Sequence, residues 1–387
     1  MPTTLNPKLI SWASLLDDGT LRQAERLARL DVITAPVALM PDAHYGIDST
    51  VGTVIPTETA ILPSAVGGDI GCGVIAVETN LTARQLPDDL SRLLAAIERV
   101  VPAGRGRAYQ DHVAPAARTW MAAHRPRTTL TTEQEGRALS QLGTLGGGNH
   151  FVEVCLDETD RVWVTLHSGS RNSGQLIANL AIDNAKTLAR DLRLQLEDPS
   201  LAYLLEGTPE FDTYIADMLW AQDYALANRA FMMNRVLHEL LSFTPSVREV
   251  SRLNSHHNFT AREIHNGTPM WITRKGAVRA AIGDRGMIPG SMGARSYIIE
   301  GLGNPASYNS CAHGAGRLMG RSQAKSAYSA EELTEQMAGI TWLSDRAASQ
   351  VDEIPAAYKP IDRVMADQAD LVRITHTLRQ VLNYKGC

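Results

Sequence analysis

The sequence predicts an α+β fold, and three observations carry that expectation. Segments with strand periodicity, each broken by glycine, cluster at residues 30–80, 142–170 and 255–300. A separate stretch, residues 175–242, has apolar residues at helical spacing instead. No GxGxxG stands between a strand and a helix, and no GxxxxGK[ST] occurs, so the standard nucleotide-binding folds are disfavoured. With 387 residues, 44% hydrophobic and 20% charged, the chain can fill one large domain or two tightly packed ones.

Taken in order, "VGTVIP" and the end of "GGDIGCGVIAVET" read as strands, which puts Asp69 and Cys72 on a turn entering a strand. "DLSRLLAAIERVV", residues 89–101, has helical periodicity with Asp and Ser near its start. Residues 102–140, rich in Arg, Pro and Thr, read as a loop or irregular helix. The strand-like "NHFVEVCL" and "VWVTL" follow a glycine turn, so His150 begins one strand and His167 ends the next. In "IADMLWAQDYALANRAFMMNRVLHELL" Met218, Leu219, Leu226, Met233, Val236, Leu237 and Leu240 recur at helical spacing; the region reads as a helical insertion or subdomain. Residues 331–350 and 361–380 are expected to be helical.

A net charge of −5 excludes binding to nucleic acid through bulk positive charge but leaves room for a local basic groove. The opening "MPTTLNPKLISWASLLDDG" has no basic segment followed by an apolar one, and nothing approaches the roughly 18 apolar residues that cross a bilayer. A cytoplasmic protein with no membrane partner is expected. Cys72, Cys155, Cys311 and Cys387 form no CxxC pair, so each is a free thiol, a buried small hydrophobe or a metal ligand.

Glycine clusters stand beside every candidate ligand: "GGDIGCG" with Asp69 and Cys72, "GGGNH" with His150, "LHSGSR" with His167, and the "SHHNF" pair His256 and His257 further on. Singly, a cysteine is most often a buried hydrophobe and a histidine a hydrogen-bonded structural residue. Their shared placement at strand ends favours a mixed hard and soft donor set, suited to Mn, Zn, Fe or Co, and a bridging thiolate allows two metals. Asp42 and His44 in "MPDAHYG" read as neighbours of such a site, with a structural role preferred. "PGSMGARS" and "HGAGR" are glycine loops able to cradle phosphate, with Arg295 or Arg317 as charge partners. The lysine nucleophile of a KxDG sequence is absent. A neutral histidine oriented by a neighbour can form a phosphoramidate instead, and His313 is the best-placed candidate.

The ordered series "MPDAHYGIDSTVGTVIP", "AVGGDIGCGV", "TLGGGNHFVEV", "LHSGSRNSG", "HHNF", "RKGAVRA", "IPGSMGARSY", "HGAGR" and "YKG" resembles the RtcB family of GTP-dependent RNA ligases from about residue 40 to Gly386. The resemblance implies RtcB-type mixed sheets with surrounding helices in a single catalytic domain over residues 1–387, with 175–245 as a helical insertion. It implies one Mn(II) on Asp69, Cys72 and His150 and a second on Cys72, His167 and His257. It also implies a GTP site of Asn149, His150, Phe151, Val152, Glu153, Asn258, Pro289, Gly290, Ser291, Met292, Ser296, His313, Gly314, Ala315, Gly316 and Lys385, with Tyr358 packing on the base. His313 would carry GMP covalently, pass it to an RNA 3′-phosphate as RNA(3′)pp(5′)G, and a 5′-hydroxyl end would then displace GMP. A 2′,3′-cyclic phosphate would be opened first, in tRNA splicing or RNA repair.

Charge and position suggest Arg171, Arg295 and Arg317 for phosphates. Partners would include an archease-type activator or a release-factor homologue, and the enzyme would be a monomer. Thr273, Ala294 and Gly320 depart from the pattern, where histidine, threonine and serine are common, and bear on specificity for RNA ends. A dinuclear phosphodiesterase would need the metal ligands but neither His313 nor Lys385; a non-catalytic RNA-binding protein would need none of them.

Overall fold

The structure, a computed structural model, describes residues 2–104, 106–109 and 115–386. Its first sheet is built from β1 (Thr3–Asn6), β2 (Leu9–Ser11), β3 (Val37–His44) and β4 (Val51–Thr57). After the short β5 (Ala60–Ile61) come β6 (Gly73–Thr82), β7 (Phe151–Leu156), β8 (Arg161–Ser168), β9 (Leu204–Leu205) and β10 (Glu249–His256). Next are β11 (Asn258–His265), β12 (Thr268–Lys275), β13 (Ala277–Arg279), β14 (Arg285–Ile288) and β15 (Ser296–Gly301). The last three are β16 (Ser310–Ala312), β17 (Thr341–Trp342) and β18 (Val372–Lys385). The first sheet runs β1-β2-β3-β4-β12-β11 and the second β10-β6-β8-β7-β18-β15-β14, with β17 beside β18. The α+β expectation holds, since helices surround these sheets rather than alternating regularly with their strands.

Both faces of the second sheet are covered, which is why its central strands read as apolar runs. Ile75, Val77, Val152, Val154, Val164 and Leu166 point to one face and meet Leu93 and Ile97 of the helix Ser91–Val100 and Met232, Val236 and Leu240 of the helix Pro209–Phe243. Alternate residues Val74, Ala76, Cys155 and Trp163 point to the other, against Met287, Ile298 and Leu378. Trp163 is fully buried and donates Nε1–H to Asp157 Oδ2 at 3.0 Å; its truncation to alanine costs about 3–5 kcal/mol.

Most of residues 175–242 fall on two long helices, Arg171–Asp191 and Pro209–Phe243, joined by a stretch that holds β9. Thr208 caps the second by accepting from Phe211 N–H, and Pro209 takes the first-turn position that needs no donor.

Two local expectations are corrected. The stretch read as a loop or irregular helix carries two regular helices, Pro115–Ala123 and Thr132–Gln141; the latter has a full capping box, Thr131 with Gln134. The helix starting at Ile361 ends at Asp367, and from Val372 the chain is a 14-residue strand paired on both sides. Its β-branched Val372, Ile374, Thr375 and Thr377 suit a sheet, and two ready partners override any helical spacing. In 331–350 the helices Ala330–Gln336 and Ala347–Gln350 are likewise separated by β17.

Candidate active site

Neighbouring strands of the second sheet run antiparallel, so one edge of the sheet collects the start of each strand and the end of the next. Gly73 of β6 pairs with His256 of β10 and with Ser168 of β8. Phe151 of β7 pairs with His167 of β8 and with Lys385 of β18. Cys72, His150, His167, His257 and Lys385, scattered over more than three hundred residues of sequence, therefore meet on that edge.

Two donor groups result, Asp69, Cys72 and His150, and Cys72, His167 and His257, sharing the thiol. Cys72 Sγ lies 3.5 Å from His150 Nε2 and 3.2 Å from His167 Nε2, which is 3.2 Å from His257 Nε2. Asp69 Oδ2 is 3.1 Å from His150 Nε2. The other ring nitrogens face backbone carbonyls: His150 Nδ1 lies 2.8 Å from Leu145 O and His167 Nδ1 3.1 Å from Asn149 O. That leaves each Nε2 lone pair toward the centre, as metal-binding imidazoles require. His256 instead turns its Nδ1 to Gly71 O at 2.7 Å and stays outside the cluster. Gly169 makes room for the carboxylate, since a Cβ there would come within 2.1 Å of Asp69 Oδ1.

The electrostatics also fit a cation. Burial, then the positive charge of neighbouring imidazoles, holds His167 and His257 far below the usual histidine range, so both rings are neutral and able to donate a lone pair. Burial would raise Asp69, but bonding to His150 and the Arg171 charge outweigh it and keep the carboxylate ionised. Burial, then Asp69, pushes the Cys72 thiol well up, which a bound cation would reverse.

His313 follows β16 and enters the same place, its ring 4.8 Å from that of His257. Asp42, fully buried, stands with Oδ2 2.6 Å from His313 Nδ1, and the same oxygen accepts from the backbone N–H groups of His313 and Gly314 at 3.0 and 3.1 Å. Burial alone would raise the Asp42 pKa, but the His313, His44 and Lys359 charges hold it below the ordinary range. His44 lies nearly parallel to His313, 6.3 Å away at 18°, and burial pushes it down to about 4. Gly276, at φ +64°, lets the chain pass beside the His313 ring, because a Cβ there would lie 2.9 Å from His313 Cε1.

These groups open into a cleft of about 1070 Å³ lined by Asp69, Cys72, His167, His257 and His313, and also by Asn149, Phe151, Glu153, Asn258, Pro289 to Met292, Gly314 to Gly316, Tyr358 and Lys385. Three expected residues do not line it: His150, whose Nε2 faces Asp69 and Cys72 instead, Val152 and Ser296. Val152 points into the core beneath the sheet, because alternate strand residues face opposite ways. Ser296 is buried behind its loop and accepts from Gly290 N–H at 3.2 Å, supporting the loop instead. Burial, against the pull of Lys385, pushes Glu153 up to about 8, so its carboxyl can donate at neutral pH.

The three arginines diverge. Arg317 lines the cleft with its guanidinium bonded to Met319 O, Asp352 O and Tyr358 Oη. Arg171 bonds Thr144 beside the donor cluster, whereas Arg295 lies half exposed near Asp362. Of the departures, Thr273 is buried and bonds Thr260 across the β11–β12 pair at 2.8 Å, and Gly320 precedes the helix Arg321–Ala327. Cys311 is buried in a core cluster, as packing requires; Cys387 lies outside the described residues.

Four contributors went unread in the sequence. Asp42 was placed beside the site but without its hold on His313. Glu353, in an ordinary "VDEIP", accepts from Tyr358 Oη at 2.7 Å and pairs with Lys385 at 2.8 Å and with Arg321; no local signal marks it. Arg229 donates to Gly71 O, Ser168 O and Asn254 Oδ1, and Asn228 binds the Gly143–Thr144 backbone and Gly169 O. A signal existed for Arg229: a charge at the helical spacing of Ala225 and Met233, on the buried face.

Comparison with known proteins agrees with this geometry. The family profile described as tRNA-splicing ligase RtcB matches residues 23–386. The chain is similar to the RNA-splicing ligase RtcB of Escherichia coli K12, 43% identical over 99% of this chain and 98% of that protein. It is also similar to the tRNA-splicing ligase RtcB of Nanoarchaeum equitans, 29% identical over 94% and 88%, and to the RNA-splicing ligase RtcB of Mycobacterium tuberculosis, 28% identical over 91% and 97%.

Proposed function

We propose, because the chain belongs to the tRNA-splicing ligase RtcB family, that this RNA ligase joins RNA 3′-phosphate or 2′,3′-cyclic phosphate ends to 5′-hydroxyl ends at the expense of GTP. One observation carries the finer reading: a histidine oriented by a buried carboxylate stands against a thiolate-sharing double donor set within one cleft. A phosphodiesterase acting only on cyclic ends would have no use for His313 so held.

Asp42 engages Nδ1 of His313 and leaves Nε2 as the nucleophile. His313 Nε2 attacks the α-phosphate of GTP; a P–N bond forms as the bond to the departing pyrophosphate breaks. Two Mn(II) ions, one held by Asp69, Cys72 and His150 and the other by Cys72, His167 and His257, would supply positive charge to the phosphates. The RNA 3′-phosphate then takes GMP from His313, breaking the P–N bond and giving RNA(3′)pp(5′)G. Attack by the 5′-hydroxyl closes the phosphodiester and releases GMP. A cyclic end is first hydrolysed to the 3′-phosphate in the same cleft.

On the nucleotide side, Phe151, Glu153, Tyr358 and Lys385 offer two ring faces, a carboxyl and an ammonium to guanine, beneath the Pro289–Met292 loop. This reading has the enzyme act as a cytoplasmic monomer in tRNA splicing or RNA repair, with residues 175–245 as an insertion in one domain and an archease-type activator or release-factor homologue as protein partner.

The test is ligation of 3′-phosphate and 5′-hydroxyl RNAs with GTP and Mn(II) omitted in turn, beside labelling of the protein with α-labelled GTP. Joining should require both, and His313→Ala should lose the acid-labile label. Equal labelling of that variant, or opening of cyclic ends without joining, overturns the reading.

A further inference from the structure

We propose that Tyr45, flanked by Ile47, is a stacking platform for the terminal nucleobase of an RNA strand entering the cleft; the identity of that occupant rests on the ligase reading above. Tyr45 is 66% exposed and Ile47 85% exposed, and both line the cleft that contains His313. Large apolar side chains held in water at the mouth of a site mark a contact surface.

The backbone beneath them is fixed. Gln23 clamps Gly46 from both sides, donating to its carbonyl at 2.9 Å and accepting from its N–H at 3.1 Å. Ser49 N–H donates to Ile47 O at 2.8 Å, and the buried Lys275 ammonium donates to Ile47 O at 2.7 Å, to Ser49 Oγ and to Ser64 O. A rim so tied loses little freedom on binding, which is what a preformed platform needs.

Position and chemistry choose the occupant. Tyr45 directly follows His44, whose ring lies nearly parallel to that of His313, and all three line one cleft, so a base on Tyr45 would share that cleft with His313. Tyr45 comes from the end of β3 in the first sheet, whereas Phe151, Glu153 and Lys385 come from the second, so the guanine side has its own ring face. Charge is not spare at the cleft: Arg317, Arg321 and Lys385 are engaged with Glu353 and its neighbours. Single-stranded RNA ends are commonly held by bases stacked on aromatic rings, which needs no excess of cations.

The experiment uses an oligoribonucleotide with a 3′-phosphate and 2-aminopurine as its terminal base, whose fluorescence falls on stacking. Wild-type protein and Tyr45→Phe should quench it on binding. Tyr45→Ala should lose the quench and bind roughly ten-fold more weakly, and that ten-fold gap should close when the terminal nucleotide is abasic. Quenching by Tyr45→Ala equal to wild type, no quenching by wild type, or an equal loss on abasic and intact ends overturns the proposal; so does competition of the quench by GTP alone. Ligation measured in parallel separates the two readings. Quenching without joining sinks the ligase reading and leaves the platform, and joining without a Tyr45-dependent quench does the reverse.

Discussion

Asp42 serves His313 with one oxygen that takes two backbone N–H groups while facing the ring nitrogen. Replacing it by asparagine keeps the shape but removes the charge. Asp42→Asn should therefore slow labelling by GTP roughly 10–100-fold with the metal content unchanged; labelling at the wild-type rate would show that the ring needs no orientation. Cys72 makes a second prediction. Its thiol is buried and protonated in the metal-free protein, so metal uptake at neutral pH must release its proton, and affinity must rise with pH. Titration calorimetry in buffers of different ionisation enthalpy should detect about one proton per Cys72; uptake with no proton release would mean that the thiol is not a ligand. At this scale the convergent donor groups were legible as candidates, because cysteine and histidine at strand ends are chemically conspicuous. The Asp42–His313 partnership was not, since 271 residues separate the pair and only the fold joins them.

The helix Pro209–Phe243 does more than cover a sheet. Its Asn228 and Arg229 bind the backbone beside three of the clustered donors: the 143–144 turn before His150, Ser168 and Gly169 after His167, and Gly71 before Cys72. The guanidinium is fully buried and meets carbonyls and an amide oxygen, and burial lowers its pKa to about 10. Arg229→Met should take one donor from each of those oxygens, lowering the melting temperature and weakening metal retention by roughly 10–100-fold. Unchanged metal affinity in a destabilised variant would confine Arg229 to the core. Sequence periodicity found this helix but not its reach into the site, because helical spacing reports which face is buried and not against what. The same limit explains β18, where pairing with β7 and β15 decided the conformation.

Across the whole molecule, the cleft is lined by strands from both sheets, and Glu353 ties its rim together through Lys385, Arg321 and Tyr358. Burial would raise the Glu353 pKa, but the Lys385 and Arg321 charges outweigh it and hold the carboxyl at about 2, below the usual 4.5. A folded-state pKa below the unfolded one means the stabilisation is complete above about pH 4.5 and is lost as pH falls toward 2. It is on the order of 3 kcal/mol. Urea unfolding of Glu353→Gln between these pH values should show a flatter pH dependence than wild type; identical slopes would remove Glu353 from the acid response. The resemblance puts Lys385 and Tyr358 at the site, but Glu353 and Arg321 are ordinary polar residues in the sequence until the fold brings them together.

The place of β18 in the second sheet has a consequence for biosynthesis. Residues 372–385 leave the ribosome after every other strand described here, yet they lie between β7 and β15. Until they emerge, those two strands present unpaired inner edges, and Lys385 cannot reach Glu353. The nascent chain therefore carries an open seam through its middle until translation passes residue 385. Premature termination just upstream should yield aggregates rather than a shortened enzyme.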